Sequence, residues 1–236
     1  MSVTLGFDVY GTLIDTHGVV VMLNKMVGDK AFDFSRIWRE KQLEYSFRRG
    51  LMQNYENFAR CTSDALDYTS LYFKVPLNEK DKQELLDAYK VLPAFDDVKE
   101  GLGRAKEYGF RMFAFSNGSG EAVDTLLKHA GIRDFFLGVV SVDEIKSFKP
   151  NPGVYCHFLR RAGVTGSDAW LISSNPFDVI GALSAGMRAA WIKRSPEAIF
   201  DPWGIEPTFT VNSLLNLTEQ IDLVTSATNA CCLSRD

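Results

Sequence analysis

The feature that most constrains the fold is a regular alternation of short apolar runs and amphipathic segments, which begins near Pro93. The amphipathic segments carry apolar residues at helical spacing, and most of them end at a glycine. Because consecutive parallel strands are joined by helical crossovers, this rhythm predicts an α/β fold with a mainly parallel sheet covered on both faces. The predicted strands are 110–115, 138–141, 169–173, 188–192 and 208–211, and the predicted helices are 96–108, 121–129, 152–162, 176–185 and 214–224.

A long helical stretch separates this region from the first predicted strand, residues 3–10. It contains apolar residues at helical spacing and no strand signal. Its two ends must lie close together for the sheet to form, so it is expected to cover the tip of the first strand. The helices predicted within it are 33–48, 55–73 and 79–90. The expected domains are an α/β core, residues 1–15 and 93–236, and a helical cap, residues 16–92.

Composition and charge exclude several functional classes. The 236 residues carry a net charge of −4 and give a pI near 5.5, so nothing indicates a nucleic acid or a membrane surface as partner. No apolar run reaches the roughly 18 residues of a membrane span, and no signal peptide is expected. Histidine and cysteine spacings argue against a zinc site, and a reduced, cytoplasmic protein is expected. The cysteines are Cys61, Cys156, Cys231 and Cys232.

Polar residues occur where the predicted strands end. Asp8 follows the first apolar run and is itself followed by a Gly-Thr turn, the arrangement typical of a carboxylate nucleophile at the end of a strand. Open α/β sheets bind ligands at the carboxyl ends of their strands, so these polar residues are expected to lie close together. The motifs are FDVYGTLID at 7–15, SNGSG at 116–120, KP at 149–150 and SSNPFD at 173–178.

With these motifs in this order, the chain resembles the haloacid dehalogenase superfamily, and more closely its L-2-haloacid dehalogenase (type II) branch. The segment WREKQLEY at residues 38–45 is similar to the arginine-bearing lid helix of that branch. The resemblance implies a Rossmann-like core with a cap inserted after the first strand. It also implies hydrolytic removal of halide from short (S)-2-haloalkanoic acids, with inversion to (R)-2-hydroxy acids, no metal or other cofactor, and usually a homodimer.

Displacement of a halide needs a nucleophile aimed at carbon and fixed positive charges. Asp8 is the candidate nucleophile, because a carboxylate that attacks carbon gives an ester and divides one difficult step into two. Lys149 is expected to keep Asp8 ionised and to offset the charge of an anionic substrate. Arg39, on a lid helix, is expected to receive the expelled halide in a closed pocket.

The remaining polar candidates surround the nucleophile. The resemblance assigns Ser116 to the substrate carboxylate and Asn117 to the halide side, in a turn whose N–H groups favour anions. Asp178 is expected either to orient Lys149 or to help activate the hydrolytic water. Thr12 and Tyr155 are expected to form hydrogen bonds around Asp8 and Lys149. Ser173 and Asn175, which match the family at the same spacing, are further candidate catalytic residues.

An apolar slot is expected around the alkyl part of the substrate. For the helical candidates Leu43 and Phe58, simple core packing is an equally good interpretation. Glu40 stands where one form of the family pattern has glutamine, and an inward carboxylate there would repel anions. The candidate walls are Tyr10, Leu43, Phe58 and Phe177, and Val9 is a further candidate for substrate binding.

Two other functions remain open at this point. A Mg²⁺-dependent phosphatase of the same superfamily would need several carboxylates, but Tyr10 stands where its second acid would be. The run Ser173-Ser174-Asn175 likewise stands in place of an acid, which leaves Asp178 alone in that motif. The second alternative is a non-catalytic binder of small carboxylates that has kept the fold.

Overall fold

The computed structural model describes residues 3–233, with side chains up to residue 226. Within this range six strands form one sheet: β1 (Thr4–Phe7), β2 (Arg111–Ser116), β3 (Gly138–Ser141), β4 (Ala169–Ser173), β5 (Arg188–Ile192) and β6 (Phe209–Val211). Every pair of neighbours is parallel, in the order β3-β2-β1-β4-β5-β6. The predicted α/β fold with a parallel sheet is confirmed.

Strand β1 lies at the centre of the sheet, between β2 and β4, and all four of its residues are buried. A side chain at Gly6 would meet the ring of Phe158 at 2.7 Å, so glycine lets a helix pack closely over this strand. The strand ends earlier than predicted, because the chain turns at Gly11, where φ is +85°. Asp8 nevertheless still donates its backbone N–H to the Ile172 carbonyl at 2.9 Å.

Four helices follow β1: α1 (Val20–Val27), α2 (Ala31–Leu51), α3 (Phe58–Phe73) and α4 (Glu79–Ala88). The first of them was not predicted, because its eight residues carry too short an apolar pattern to distinguish it from a loop. The third begins at Phe58 rather than at residue 55, because the Asn57 side chain accepts a hydrogen bond from the Arg60 N–H and caps the helix.

Five further helices cover the sheet: α5 (Val98–Glu107), α6 (Gly120–His129), α7 (Pro152–Ala162), α8 (Pro176–Ser184) and α9 (Leu217–Leu233). They pack on both faces and form two apolar clusters, one of which contains Leu5 and Phe7 while the other contains Phe115 and Leu171. A 3-10 turn at Leu214–Asn216 precedes the last helix, which accounts for its later start than predicted. No helix in the described part of the chain is long and apolar enough to cross a bilayer.

The chain leaves the sheet and returns to it along two adjacent connections. Ile14 and Ala94 form an antiparallel bridge, and the Asp15 N–H donates to the Pro93 carbonyl at 2.9 Å. Helices α1–α4 therefore begin and end at the same place, next to the carboxyl end of β1.

Candidate active site

Asp8 lies directly after β1 and is only 7% exposed. Its Oδ2 atom accepts hydrogen bonds from Thr12 Oγ1 at 2.8 Å and from Asn175 Nδ2 at 2.7 Å, with Ser173 Oγ at 3.4 Å. Its Oδ1 atom faces the ammonium of Lys149 at 3.1 Å. Several donors that point at one carboxylate fix its orientation. Such a carboxylate is held ready for attack on an electrophile.

Lys149 is almost completely buried, at 1% exposure. Its ammonium donates to Asp8, to Asp178 Oδ2 at 2.8 Å and to the Phe115 carbonyl at 2.9 Å, which uses all three of its donors. Burial alone would lower the pKa of Lys149, but the charges of Asp178 and Asp8 outweigh it and raise the pKa above its ordinary value. The lysine therefore remains a cation between two carboxylates.

Asp178, in the first turn of α8, is completely buried and has both carboxylate oxygens occupied. Oδ2 accepts from Lys149, while Oδ1 accepts from the Tyr155 hydroxyl at 2.8 Å. Burial raises the pKa of Asp178, against the opposing charge of Lys149, and so makes it a stronger base than an ordinary carboxylate. Burial and the charge of Asp178 also raise the pKa of Tyr155, which keeps the phenol protonated as a donor.

Ser116 and Asn117 lie at the carboxyl end of β2, beside β1, and both are buried. The Ser116 hydroxyl accepts the Gly118 N–H at 3.1 Å, and Asn117 Oδ1 accepts the backbone N–H of Lys149 at 3.0 Å. Both bonds use oxygen acceptors, so the hydroxyl hydrogen and the side-chain NH₂ remain potential donors to a ligand. The Asn117 contact also ties the β2 turn to the loop that carries Lys149.

Arg39 reaches from α2 to the same region. One of its terminal nitrogens donates to Gln42 Oε1 at 2.6 Å and the other to the Tyr10 carbonyl at 3.2 Å. Both acceptors are neutral, which leaves the positive charge of the guanidinium uncompensated by these contacts. Glu40 is exposed and forms an ion pair with Arg36 at 3.0 Å, so its carboxylate turns away from Arg39.

Tyr10 and Phe58 are adjacent, with ring centroids 5.8 Å apart. They help to line a cleft of about 440 Å³ that lies between helices α3, α4 and α6. Burial and the neighbouring Tyr89 raise the pKa of Tyr10 to about 12, although Arg39 acts in the opposite direction. Tyr10 is therefore a neutral phenol in the lining of this cleft and cannot act there as a carboxylic acid would.

The lining of this cleft does not include the other two wall candidates, Leu43 and Phe177, or the substrate-binding candidate Val9. The Val9 side chain is fully buried in an apolar cluster, so this residue can meet a ligand only through its backbone. Leu43 packs against the second cluster, which contains Phe58. Phe177 makes an edge-to-face contact with Phe47, with centroids 5.0 Å apart.

Two residues of the site were not predicted. Ser174 donates its hydroxyl to the Gly11 carbonyl at 2.7 Å and its N–H to Thr12 Oγ1 at 2.8 Å, and so holds the loop after Asp8. Gln42 accepts from Arg39. Both residues lie within motifs that were identified in the sequence. Their polar character inside those motifs was the signal that could have predicted them. In the described residues, no group of three or more His, Cys, Asp or Glu is placed to hold a metal ion.

Comparison with known proteins identifies the family. The family model of haloacid dehalogenase-like hydrolases matches residues 4–186. The (S)-2-haloacid dehalogenase of Pseudomonas sp. (strain YL) is 36% identical over 215 residues, 91% of this chain and 92% of that protein. Haloacetate dehalogenase H-2 of Moraxella sp. (strain B) is 37% identical over 207 residues, 88% of this chain and 92% of that protein.

A solved structure gives the same result. The L-2-haloacid dehalogenase from Xanthobacter autotrophicus with chloropropionic acid covalently bound superposes with a TM-score of 0.88 at 29% identity, over 94% of this chain and 99% of that chain. The matches extend over both the sheet and the inserted helices. The family resemblance predicted from the motifs is confirmed, and the chain belongs to the haloacid dehalogenase-like hydrolases.

Proposed function

We propose that this chain is an (S)-2-haloacid dehalogenase, which hydrolyses short (S)-2-haloalkanoic acids to (R)-2-hydroxy acids. The observation that carries the proposal is Asp8, whose carboxylate is fixed by donors on Oδ2 and paired with Lys149 on Oδ1. The relatives named as (S)-2-haloacid dehalogenases, at 33–36% identity over about nine-tenths of this chain, support the same reaction and substrate class.

In the first step Asp8 attacks C2 of the substrate, and the carbon–halogen bond breaks as the carbon–oxygen bond forms. The halide leaves with the bonding electron pair, and an ester links Asp8 to the former substrate. Attack from the side opposite the halogen inverts C2. Arg39 receives the halide, because its charge is not neutralised by its own hydrogen-bond partners. The donors of Ser116 and Asn117 serve the substrate carboxylate and the halide side, respectively.

In the second step water attacks the carbonyl carbon of the ester, and the acyl carbon–oxygen bond breaks. C2 is untouched in this step, so a single inversion converts an (S)-haloacid into an (R)-hydroxy acid. One water oxygen remains in the Asp8 carboxylate, and the overall reaction releases one proton with the halide. Asp178 acts on this step by orienting Lys149, a role supported by the hydrogen bonds on both of its oxygens.

Lys149 makes the approach of an anion to a carboxylate possible. A negatively charged substrate is repelled by Asp8 and Asp178, and the buried ammonium between them offsets part of that repulsion. This arrangement supports a reaction that needs neither a metal nor another cofactor, because the lysine supplies the positive charge at the nucleophile.

Helices α1–α4 are proposed to act as the cap domain, residues 16–92, over a core of residues 1–15 and 93–236. The adjacent connections at 14–15 and 93–95 support this division. The reach of Arg39 to the Tyr10 carbonyl, across from α2 to the end of β1, supports a role in closing the active site. A cap that brings Arg39 over Asp8 excludes water while the halide leaves.

The protein is proposed to be a cytoplasmic homodimer. Leu51 and Leu71 are 87% and 79% exposed, and together with Met52 and Tyr72 they give α2 and α3 an apolar outer surface that a second copy can cover. The free thiols of Cys61 and Cys156 support the cytoplasmic location, because a reducing compartment keeps thiols unpaired. The side chains of Cys231 and Cys232 lie outside the described residues. Light scattering of the protein and of a Leu71→Glu variant measures the dimer directly.

The deciding experiment is halide release from the two enantiomers of 2-chloropropionate in the presence of EDTA. The proposed function predicts turnover of the (S)-enantiomer only, with (R)-lactate as product, and no halide from an Asp8→Asn control. Absence of halide from chloro, bromo and fluoro acids would favour a carboxylate binder. Rapid, EDTA-sensitive turnover of p-nitrophenyl phosphate would favour a phosphatase.

A further inference from the structure

We propose that Gln42 is a positioning residue, which fixes the guanidinium of Arg39 beside the end of β1 without neutralising its charge. This inference rests on the proposed function, because it assigns to Arg39 the reception of the halide. Gln42 lies three residues after Arg39 on α2 and is 1% exposed. Burial of an amide costs free energy unless its polar atoms form hydrogen bonds, so the hydrogen bonds of Gln42 are the contacts that matter here.

The orientation of the Gln42 amide is determined by a chain of hydrogen bonds from α3. The Thr62 hydroxyl donates its single hydrogen to the Phe58 carbonyl at 2.9 Å. Its oxygen can therefore only accept from Gln42, whose Nε2 lies 2.5 Å away. The amide must then present its oxygen on the other side, where Arg39 donates to it at 2.6 Å. The network thus imposes one orientation on the amide and aims an acceptor at the arginine.

The far end of this chain is rigidly held. Thr62 is buried, and its carbonyl accepts the indole N–H of Trp38 at 2.9 Å, which joins α3 to the turn of α2 that carries Arg39. Gln42 and Thr62 also line the cleft beside Tyr10. Movement of α3 relative to α2 would therefore be transmitted to the guanidinium through the amide.

The neutrality of Gln42 is as important as its position. A glutamate at 42 would reach the same nitrogen of Arg39, but it would form an ion pair and cancel the charge that a leaving halide needs. The nearby carboxylates of Asp33 and Glu40 pair with Arg36 instead. Gln42 therefore gives Arg39 a hydrogen-bond acceptor that carries no charge. The guanidinium can still form its strongest interaction with an anion, such as the leaving halide.

The test compares Gln42→Met, which keeps the size of the side chain but removes the acceptor, with Ser46→Ala as a matched control. Ser46 is buried on the same helix and donates only to the Leu43 carbonyl at 2.7 Å. A displaced arginine harms the poorer leaving group more, so kcat for (S)-2-chloropropionate should fall on the order of 100-fold and kcat for (S)-2-bromopropionate by a smaller factor. Ser46→Ala should leave both substrates within about twofold of the unaltered enzyme.

Two further variants protect the test from a folding defect. Thr62→Val leaves Gln42 in place but frees its amide to rotate, and it should reproduce the loss specific to the chloro acid in weaker form. Gln42→Glu keeps the shape and the acceptor for Arg39, but it adds a negative charge and replaces the Nε2 donor to Thr62 by an oxygen. A fall in kcat that exceeds the fall in Thr62→Val, which also lacks the Thr62 hydrogen bond, reports the added charge. Equal loss on both substrates, or kcat within about twofold of the unaltered enzyme for both in Gln42→Met, overturns the proposal.

A crystal structure of Gln42→Met separates failure of this inference from failure of the proposed function. The expected result is an Arg39 side chain displaced from the Tyr10 carbonyl. This observation does not require the protein to have any enzymatic activity. An Arg39 that stays in place without Gln42 excludes positioning, even if the enzyme dehalogenates. If instead the unaltered protein releases no halide while Arg39 moves as expected, the positioning stands and the reaction assigned to it is wrong.

Discussion

Arg194 and Asp97 form a nearly buried ion pair, in which one guanidinium nitrogen lies 2.7 Å and 2.8 Å from the two carboxylate oxygens. The other two nitrogens of Arg194 donate to the Thr12 carbonyl at 3.1 Å and 2.6 Å. Asp97 also accepts from the hydroxyl of Ser213 and from the N–H of Leu214. The pair therefore joins the loop after Asp8 to the end of the sheet and to the chain returning from α4.

Removal of the arginine should strongly destabilise the fold. Arg194→Met leaves the partly buried carboxylate of Asp97 without its opposing charge, and such a loss should cost about 1–3 kcal/mol of unfolding free energy. Urea denaturation measures it. The control is Arg36→Met, because Arg36 forms only exposed pairs with Asp33 and Glu40 and its loss should cost less than about 1 kcal/mol. Equal effects of the two substitutions would contradict a structural role for the buried pair.

The same carboxylate predicts a pH dependence of stability. Burial opposes ionisation of Asp97, but the Leu214 N–H, Arg194 and Ser213 outweigh it and lower its pKa in the folded protein. Because the pKa of Asp97 is lower in the folded protein, the unfolded chain takes up the proton at a higher pH than the folded protein does. The contribution of ionised Asp97 to the unfolding free energy is therefore complete above about pH 4, and it is lost as the pH falls through the pKa of the folded protein. Below pH 4 the unfolding free energy of an Asp97→Asn variant should fall less steeply than that of the unaltered protein. Parallel curves would exclude this linkage.

A single turnover in oxygen-18 water tests the covalent step. If Asp8 forms an ester that water cleaves at its carbonyl carbon, one labelled oxygen enters the Asp8 carboxylate, and the first molecule of product is unlabelled. Mass spectrometry of the peptide that contains Asp8 measures the label. Label in the product with none in the peptide would mean that water attacks C2 directly.

The parallel topology explains which parts of the site could be predicted from sequence. Asp8, Ser116 and Ser173 each stand at or directly after a strand end, so recognising adjacent parallel strands is enough to place them together. The packing of Leu43 and Phe177 depends on how α2 and α8 are rotated, which no local pattern specifies. Helix α1 and the Arg194–Asp97 pair escaped prediction for related reasons. The first has too few residues for a periodic signal, and the second joins positions 97 residues apart.

The raised pKa of Lys149 predicts how kcat depends on pH in alkaline solution. The carboxylates of Asp178 and Asp8 outweigh burial and raise the pKa of Lys149, so its charged form persists above the value of about 10.4 of an ordinary lysine. If catalysis needs this charge, kcat should not fall through loss of a lysine proton until the pH exceeds that value. Lys149→Ala should lower kcat by roughly 100-fold to 1000-fold. A decline of kcat centred well below pH 10, without unfolding, would be inconsistent with this assignment.

Substitution of Gly181 tests whether the hydrogen bond from the Tyr155 hydroxyl to Asp178 is needed for activity. A methyl group at this position would lie 2.3 Å from the Tyr155 hydroxyl and 2.8 Å from the Pro150 side chain, so Gly181→Ala has to move the phenol off the carboxylate. Overpacking of this kind costs about 1–3 kcal/mol, and kcat should fall together with stability because Asp178 loses a partner.

The matched control is Gly103→Ala, which places the same methyl group inside α5, where nothing lies within 4 Å. That change should stabilise the fold by roughly 0.5–1 kcal/mol and leave kcat unaltered, because alanine loses less entropy in a helix than glycine does. Thermal denaturation and halide release measure both variants. Unaltered stability and kcat in Gly181→Ala would mean that α7 and α8 can separate without disturbing the carboxylate, and that Tyr155 does not hold Asp178 in place.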